Sequence, residues 1–414
     1  MSSHDVIVIG GGAAGLMAAG VAAEQGRRVL LIEKMEQPAR KLRITGKGRC
    51  NLTNMRPVPE FIEHFGRDGR FLRQAFARFF SGELIEFFEG LGVPVVHERG
   101  ERVFPKSGKA PDVARALVGW VKSSGVEVVT RESVTQLVVN EGHMVGVRTN
   151  REKLRSADQV ILTTGGSSYP LTGSSGEGYD LARAVGHKIV PLRPALVPLE
   201  SRSVPQDALA DLNLRNVSAR VLVNGKKKAE QFGELTFTAT GVSGPMVLTV
   251  SSLAVDALGA GQTVELVLDL KPALDDQKLD ARLLRDIAAD SNQDFRTLLN
   301  GLLPMKLIPF CLEQTGVPGS RKLHELKGAE RQALRRWLKE CRFTIDGHRP
   351  MAEAIVTAGG VALKEVDPRT MESKVVKGLF LAGEVLDLAG DTGGYNLQAA
   401  FSTGWLAGMA VVEG

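Results

Sequence analysis

The strongest constraint on this chain lies in residues 5 to 34, DVIVIGGGAAGLMAAGVAAEQGRRVLLIEK. Val6 to Ile9 are apolar without alternation, as a strand buried on both faces requires. Gly10, Gly12 and Gly15 follow as G-x-G-x-x-G, and Ala13 to Ala23 then reads as a helix of small residues. Gly26 ends that helix, and a second apolar strand, Val29 to Ile32, delivers Glu33 at its C-terminal end. In such a unit Gly10 makes the tight turn, Gly12 admits a pyrophosphate and Gly15 lets helix and strand approach, while Glu33 accepts hydrogen bonds from ribose hydroxyls. The helix start at Ala13 and Ala14 presents free N–H groups to phosphate. The glycine motif alone marks a turn; with strand, helix, second strand and terminal acid in place it marks a dinucleotide site. The acid argues against a 2′-phosphate on the ribose it faces and leaves NAD and FAD both open.

The other end of the chain separates those two. Residues 376 to 408 read VKGLFLAGEVLDLAGDTGGYNLQAAFSTGWLAG. A short strand, Gly378 to Ala382, leads into Gly383-Glu384, a glycine-rich loop at Gly390 to Gly394, and a helix from Tyr395 to Met409. Nicotinamide dehydrogenases do not need this second phosphate-type turn. Flavoproteins of the glutathione-reductase type do, because FAD crosses the sheet and the chain returns to meet its flavin end. The expected cofactor is therefore non-covalent FAD. The N–H groups of Gly394, Tyr395 and Asn396 would face negative charge on the reduced ring, and Glu384 would bond the ribityl or pyrophosphate region. Between the two ends, the strand Gln159 to Thr163 ends in Thr164-Gly165-Gly166, a turn that brings the chain back under the cofactor. The alternating segment before it offers Val134 as an adenine contact.

A basic stretch, RKLRITGKGRCNLTN (40 to 54), follows the ribose-binding acid. Embedded between strand and helix, it reads as a cofactor-lining loop and not as a tail. Gly46 and Gly48 permit a tight backbone, Lys34, Lys41, Lys47 and Arg49 can balance cofactor charge, and Asn51 can hydrogen-bond cofactor or substrate. Reduction of a conjugated C=C needs a proton as well as a hydride. Cys50 is one candidate donor, with Tyr169 and Tyr395 as rivals, and a small packing residue is the alternative reading of Cys50.

These segments together resemble a bacterial family of FAD-dependent oxidoreductases that includes bile-acid enone reductases, ribosomal-RNA dihydrouridine synthases and aminoacetone oxidases. The resemblance rests on the N-terminal fingerprint, GKGRCNLTN, RVFPKSGKA, TTGGSSYPLTGSSGEGYDLARAVGH, FTATGVSGP, TMESK and GEVLDLAGDTGGYNLQAA, and covers essentially the whole chain. It implies FAD, three domains and a flavin-dependent redox reaction. One departure matters: where the family often carries a histidine in the FTATGVSGP segment, this chain has Ala239, so no proton-transfer role can be carried over to that position.

The expected fold is α/β, a glutathione-reductase-type FAD-binding Rossmann domain (1–190 with 359–414) with an inserted β-rich substrate domain (191–270 with 341–358) and a small helical domain (271–340). The length of 414 residues suits two or three domains. Phe76, Phe79, Phe80, Leu84, Phe87, Phe88 and Leu91 stand at helical spacing and read as core. The turn Asn224-Gly225 between apolar runs reads as a hairpin. No second G-x-G-x-x-G follows a strand, so NADH or NADPH, the expected electron donor, would dock without a dinucleotide domain of its own. The three cysteines, Cys50, Cys311 and Cys341, are too scattered for a disulfide framework or a metal site. No leader pattern and no membrane-length apolar run stand out, which suits a cytoplasmic protein and no membrane partner. The oligomeric state is left open.

The functional expectation is hydride transfer from flavin to an activated C=C, in a small ring enone or in a uridine of ribosomal RNA. An amine oxidase of the aminoacetone type and a non-catalytic flavin sensor or RNA-binding module are the alternatives. A net charge of +5 permits an RNA partner without requiring one. The cations offered to RNA are the loop at 40 to 49, Lys226 to Lys228, and the basic run Arg331, Arg335, Arg336, Lys339 and Arg342, whose plainer reading is a solvated face.

Overall fold

The computed structural model describes residues 4–411. They form two compact units, one running to Ala195 and resuming at Met351, the other comprising Leu196–Pro350.

The first unit is built on a parallel five-stranded sheet. Its order is Leu379–Leu381, Gln159–Leu162, Val6–Ile9, Val29–Glu33, Glu127–Thr130. The apolar run at 6–9 is buried at every position because it lies in the middle of the sheet with both faces covered. The helix Ala13–Glu24 packs against the C-terminal helix Tyr395–Ala410, and small residues set how closely. A methyl at Gly404 would overlap the Ala14 carbonyl, and one at Gly408 would lie 2.6 Å from the Ala18 carbonyl oxygen. The two ends of the chain are thus joined backbone to backbone. An antiparallel sheet of Val134–Asn140, His143–Thr149 and Leu154–Ser156, a small one of Thr53–Asn54, Arg102–Pro105 and Val95–Glu98, and the antiparallel pair Ile189–Ala195 with Val356–Val361 complete this unit's strands.

The phenylalanine-rich segment is core, but not one helix. A 3₁₀ segment, Gly66–Leu72, leads into the helix Arg73–Arg78, and a second helix, Ser81–Gly90, starts after a break at Phe79-Phe80. Phe79 and Phe80 are extended there, and the Phe80 N–H donates to the Glu83 carboxylate at 3.0 Å, which caps the second helix.

The second unit carries a seven-stranded sheet in which every pairing is antiparallel. Its longest hairpin, Asn213–Val223 with Lys226–Thr238, turns at Asn224-Gly225, both with positive φ as a tight twisted turn requires. Helices Asp276–Ala289 and Gly328–Lys339 lie within residues 271–340. They contribute Leu279, Leu283, Leu334 and Leu338 to the same apolar core as Val221, Leu266 and Phe343 of the sheet.

Candidate functional site

Within the first unit the glycine fingerprint takes up distinct tasks. A methyl at Gly10 would lie 2.7 Å from the Thr163 carbonyl oxygen, and one at Gly15 would overlap the Gly10 carbonyl. At Gly12 a methyl would meet nothing within 4 Å, so the approach to the helix N-terminus is open where a pyrophosphate needs it. Glu33 closes the turn from below: its carboxylate accepts from the Gly11 N–H at 2.7 Å and from the Met35 N–H at 2.8 Å. Burial raises its pKa, and those two backbone bonds work against the rise.

Three distant segments meet around Glu384. The Lys41 ammonium donates to the Glu384 carboxylate and to the Ser168 hydroxyl, both at 2.7 Å. Ser168 donates to Glu384 at 3.1 Å, and the Thr357 N–H donates to it at 2.9 Å. Glu384 and Lys41 therefore hold each other beside the Gly165-Gly166 turn, where a methyl at Gly166 would sit 2.5 Å from the Thr357 hydroxyl. Gly383 is equally confined, with Ala14 2.8 Å from its would-be methyl. Lys34 is bonded to Ser175 and pairs with Glu177 at 2.9 Å. Val134 is buried at the start of the antiparallel sheet.

The basic loop is a left-handed turn. Gly46, Lys47, Gly48 and Cys50 all have positive φ, which explains why glycines occupy two of these four positions. The loop's cations do not act as a group. Arg49 is paired with Glu98 and lies over the Phe104 ring, whereas Lys47 is exposed. Cys50 is fully enclosed, and burial pushes its thiol up to about 12. Asn51 Oδ1 and Thr164 Oγ1 are buried polar atoms with no protein partner; the Thr164 hydroxyl is packed on Gly178, where a methyl would overlap it. The Gly12 opening, the Glu33 clamp and the Asn51 oxygen fit a dinucleotide.

At the C-terminal loop, Gly394 has φ +101 and its would-be methyl lies 2.5 Å from the Thr53 backbone, so the helix start is pressed onto the strand that follows the basic loop. The Asn396 side chain is spent on that loop, accepting from the Gly390 N–H and donating to the Gly390 carbonyl, both at 2.8 Å. Sequence reasoning missed what surrounds Tyr395. The His64 ring stacks on it with centroids 3.9 Å apart, and His64 Nδ1 is 2.8 Å from the Asp391 carboxylate. Burial raises the Tyr395 phenol above its ordinary value, and the Arg56 guanidinium beside its hydroxyl opposes the rise. Nothing in the local sequence ties His64 to a residue more than 300 positions away.

The basic run at 331–342 is largely neutralised within its own unit. Arg331 pairs with Asp280 at 3.0 Å, Arg335 with Asp276 at 3.4 Å, Lys339 with Asp269 at 2.5 Å and Arg342 with Glu340 at 2.9 Å. Arg336 is exposed. Lys227 pairs with Glu230.

The HI0933-like protein Rossmann domain matches residues 4–410 of the chain. The chain belongs to this family. It is 35% identical over 408 residues to the 3-dehydro-bile acid delta(4,6)-reductase of Clostridium scindens, covering 98% of each chain. To the ribosomal RNA dihydrouridine synthase of Escherichia coli it is 31% identical over 417 residues, covering 100% of this chain and 99% of that one. The solved 3-ketosteroid delta1-dehydrogenase of Sterolibacterium denitrificans shares the fold, with a TM-score of 0.54 at 12% identity and 100% of both chains covered. The family member described here is an oxidoreductase on a flavoprotein-type Rossmann unit. Among the described residues no helix is long and apolar enough to cross a membrane.

Proposed function

We propose that this protein is an FAD-dependent reductase that adds two hydrogens across a C=C bond conjugated to a carbonyl, with NADH or NADPH as electron donor. The names of both curated relatives describe a saturation of that kind. The observation that carries the reading is the convergence, in one unit, of a dinucleotide cradle and a tyrosine suited to give up a proton.

The cradle residues are Gly10, Gly12, Ala13, Ala14, Gly15 and Glu33 for the adenosine and pyrophosphate. Lys41, Asn51, Thr164, Gly165 and Glu384 serve the middle of the cofactor, and the helix start at Gly394 serves its flavin end. Bound FAD would supply the hydride chemistry. The chain's own part is to orient the acceptor and to hold a proton at the Tyr395 hydroxyl. At its ordinary pKa the phenol is protonated at neutral pH; burial raises that value further and so makes it a weaker acid, and Arg56 beside it opposes that rise by stabilising the charge left when the proton departs. His64, fixed by Asp391, covers one face of the ring and keeps it in place. Cys50 suits this role less well: both side chains are buried, but burial pushes the thiol up to about 12 with only the Thr45 side chain opposing it, whereas Tyr395 has the Arg56 guanidinium beside it. We assign it to packing.

The test is anaerobic titration of the purified, yellow protein. Bleaching by NADPH or NADH followed by recolouring with a conjugated enone or a uridine-containing RNA supports the reading. Bleaching by amines alone would make the protein an oxidase, and no bleaching would make it a sensor.

A further inference from the structure

We propose that His64, oriented by Asp391, is the relay that returns a proton from solvent to Tyr395 after each turnover; this rests on the C=C reductase reading, in which Tyr395 gives its proton to the acceptor.

A proton donor enclosed by protein has to be refilled. Tyr395 is 3% exposed, so solvent has little access to its hydroxyl. Once that hydroxyl has protonated the acceptor a phenolate remains, and the next turnover waits until it regains a proton. Its neighbours differ in what they can supply. Phe61 meets the ring edge-on, with centroids 4.6 Å apart, and carries no acidic proton. Arg56 stands beside the hydroxyl, but a guanidinium does not give up its proton, and this one is tied to Glu60 at 2.8 Å. Glu60 and Asp391 reach the phenol only through their charge. That leaves His64, and imidazole is the side chain that takes up and releases protons most readily near neutral pH.

The surroundings of His64 suit the task. Its Nδ1 is 2.8 Å from the Asp391 carboxylate, and the Asp391 N–H donates to the His64 carbonyl at 3.0 Å, so the imidazole is fixed to the loop before Tyr395. A carboxylate only accepts; Nδ1 therefore keeps its hydrogen, and Nε2 is the nitrogen that loads and unloads. Among the described residues Nε2 has no hydrogen-bond partner. The His64 side chain is 29% exposed, which gives it a side open to water. Its ring also stacks on Tyr395 with centroids 3.9 Å apart and planes 25° from parallel. Rings this close put the imidazole edge within reach of the phenol oxygen through a single bridging water, a path that acid–base groups use.

The step moves a proton and no electrons. The N–H bond at Nε2 of the imidazolium breaks, its electron pair stays on the nitrogen, and the O–H bond of Tyr395 forms. The neutral imidazole then takes a proton from water or buffer, and the Asp391 carboxylate stabilises the cation that results. The proton consumed with each saturated C=C thus enters through His64.

The test separates the first turnover from those that follow. FAD-loaded protein is reduced anaerobically, mixed with a conjugated enone, and its recolouring followed by stopped flow; steady-state turnover is then measured with excess NADPH. His64→Phe keeps a ring against Tyr395 and removes the proton carrier. Its first turnover should run within about twofold of wild type, and its steady-state rate should fall at least about tenfold, short of the roughly 10²–10⁴ of a group that protonates substrate directly. His64→Ala leaves the space open, and added imidazole should restore its steady-state rate, whereas His64→Phe should not respond. Equal slowing of first and later turnovers in His64→Phe would reduce His64 to holding the ring in place and overturn the relay. An undiminished steady-state rate in that variant, or a His64→Ala rate that imidazole does not raise, would also overturn it. A wild type whose reduced flavin no enone recolours would instead sink the reductase reading, and the relay with it.

Discussion

Replacing Glu33 by glutamine probes the clamp at the dinucleotide turn with almost no change in shape. The two carboxylate oxygens accept from two different backbone donors, Gly11 N at 2.7 Å and Met35 N at 2.8 Å. A glutamine has one carbonyl oxygen, so its amide nitrogen must face one of those N–H groups, donor against donor. One charge-assisted bond is lost, worth about 1.5–3 kcal/mol, and a buried N–H is left without an acceptor. Burial works the other way, since it raises the Glu33 pKa and a neutral amide recovers part of that desolvation. The net loss should be about 2 kcal/mol, or roughly 4–8 °C in Tm for a unit of this size. The assay is thermal unfolding of flavin-free wild type and variant, with FAD retention measured on the same samples. The variant should also hold FAD about tenfold more weakly, the equivalent of about 1.4 kcal/mol, through loss of the charged ribose acceptor. A flavin-free Tm within 1 °C of wild type would refute the clamp, and unchanged FAD affinity would remove Glu33 from the cofactor site.

Gly394→Val should abolish flavin binding and destabilise the unit, because the side chain would drive into the Thr53 backbone at a position with φ +101; absorbance and thermal unfolding of the purified protein check this, and a fully yellow variant with wild-type Tm would place the helix start elsewhere. At pH 8 the native protein should react with thiol reagents only after unfolding, since Cys50 is enclosed and its thiol is pushed up to about 12; rapid alkylation of Cys50 traced by peptide mapping would contradict the packing role. His187 bonds Ser373 at 2.8 Å and Glu365 at 3.2 Å, and burial lowers its pKa. A group that prefers to be neutral when folded gives stability that is full above the ordinary imidazole pKa and lost as pH falls through the lowered value. Melting from pH 7.5 to 5 should therefore show a decline that His187→Gln flattens, and an equal decline in both proteins would exclude His187 as its source.

What the sequence made legible were the elements whose function demands a particular local backbone. Gly10, Gly12 and Gly15, the acid closing the second strand, and the glycine-rich approach to the C-terminal helix each need special residues at fixed offsets, so a linear reading finds them. Pairings across the chain left no such trace. Lys41 and Glu384 were both singled out, yet nothing nearby says that one holds the other or that Ser168 and Thr357 complete the arrangement. Charge alone left two readings of the basic run open. It could not separate a solvated face from an RNA surface at Arg331 and Arg335, because their partners, Asp280 and Asp276, are carried by another helix at the same four-residue spacing. Cys50 shows the limit for single residues: composition says a thiol is present, and only packing says it is sealed.

The strand order of the parallel sheet has a consequence for synthesis. Its edge strand, Leu379–Leu381, pairs with Gln159–Leu162, and the helix Tyr395–Ala410 packs on Ala13–Glu24, so each is made after Leu196–Pro350 while its partner is made before it. Leu196–Pro350, by contrast, is continuous and has its own core. It can acquire its fold as soon as its last strand is available, while the nucleotide-binding unit waits with its first strands made and one edge of its sheet incomplete. Vectorial translation thus favours the inserted unit reaching its native state before the unit that encloses it, and an arrest after residue 350 would leave a folded middle between unfinished ends.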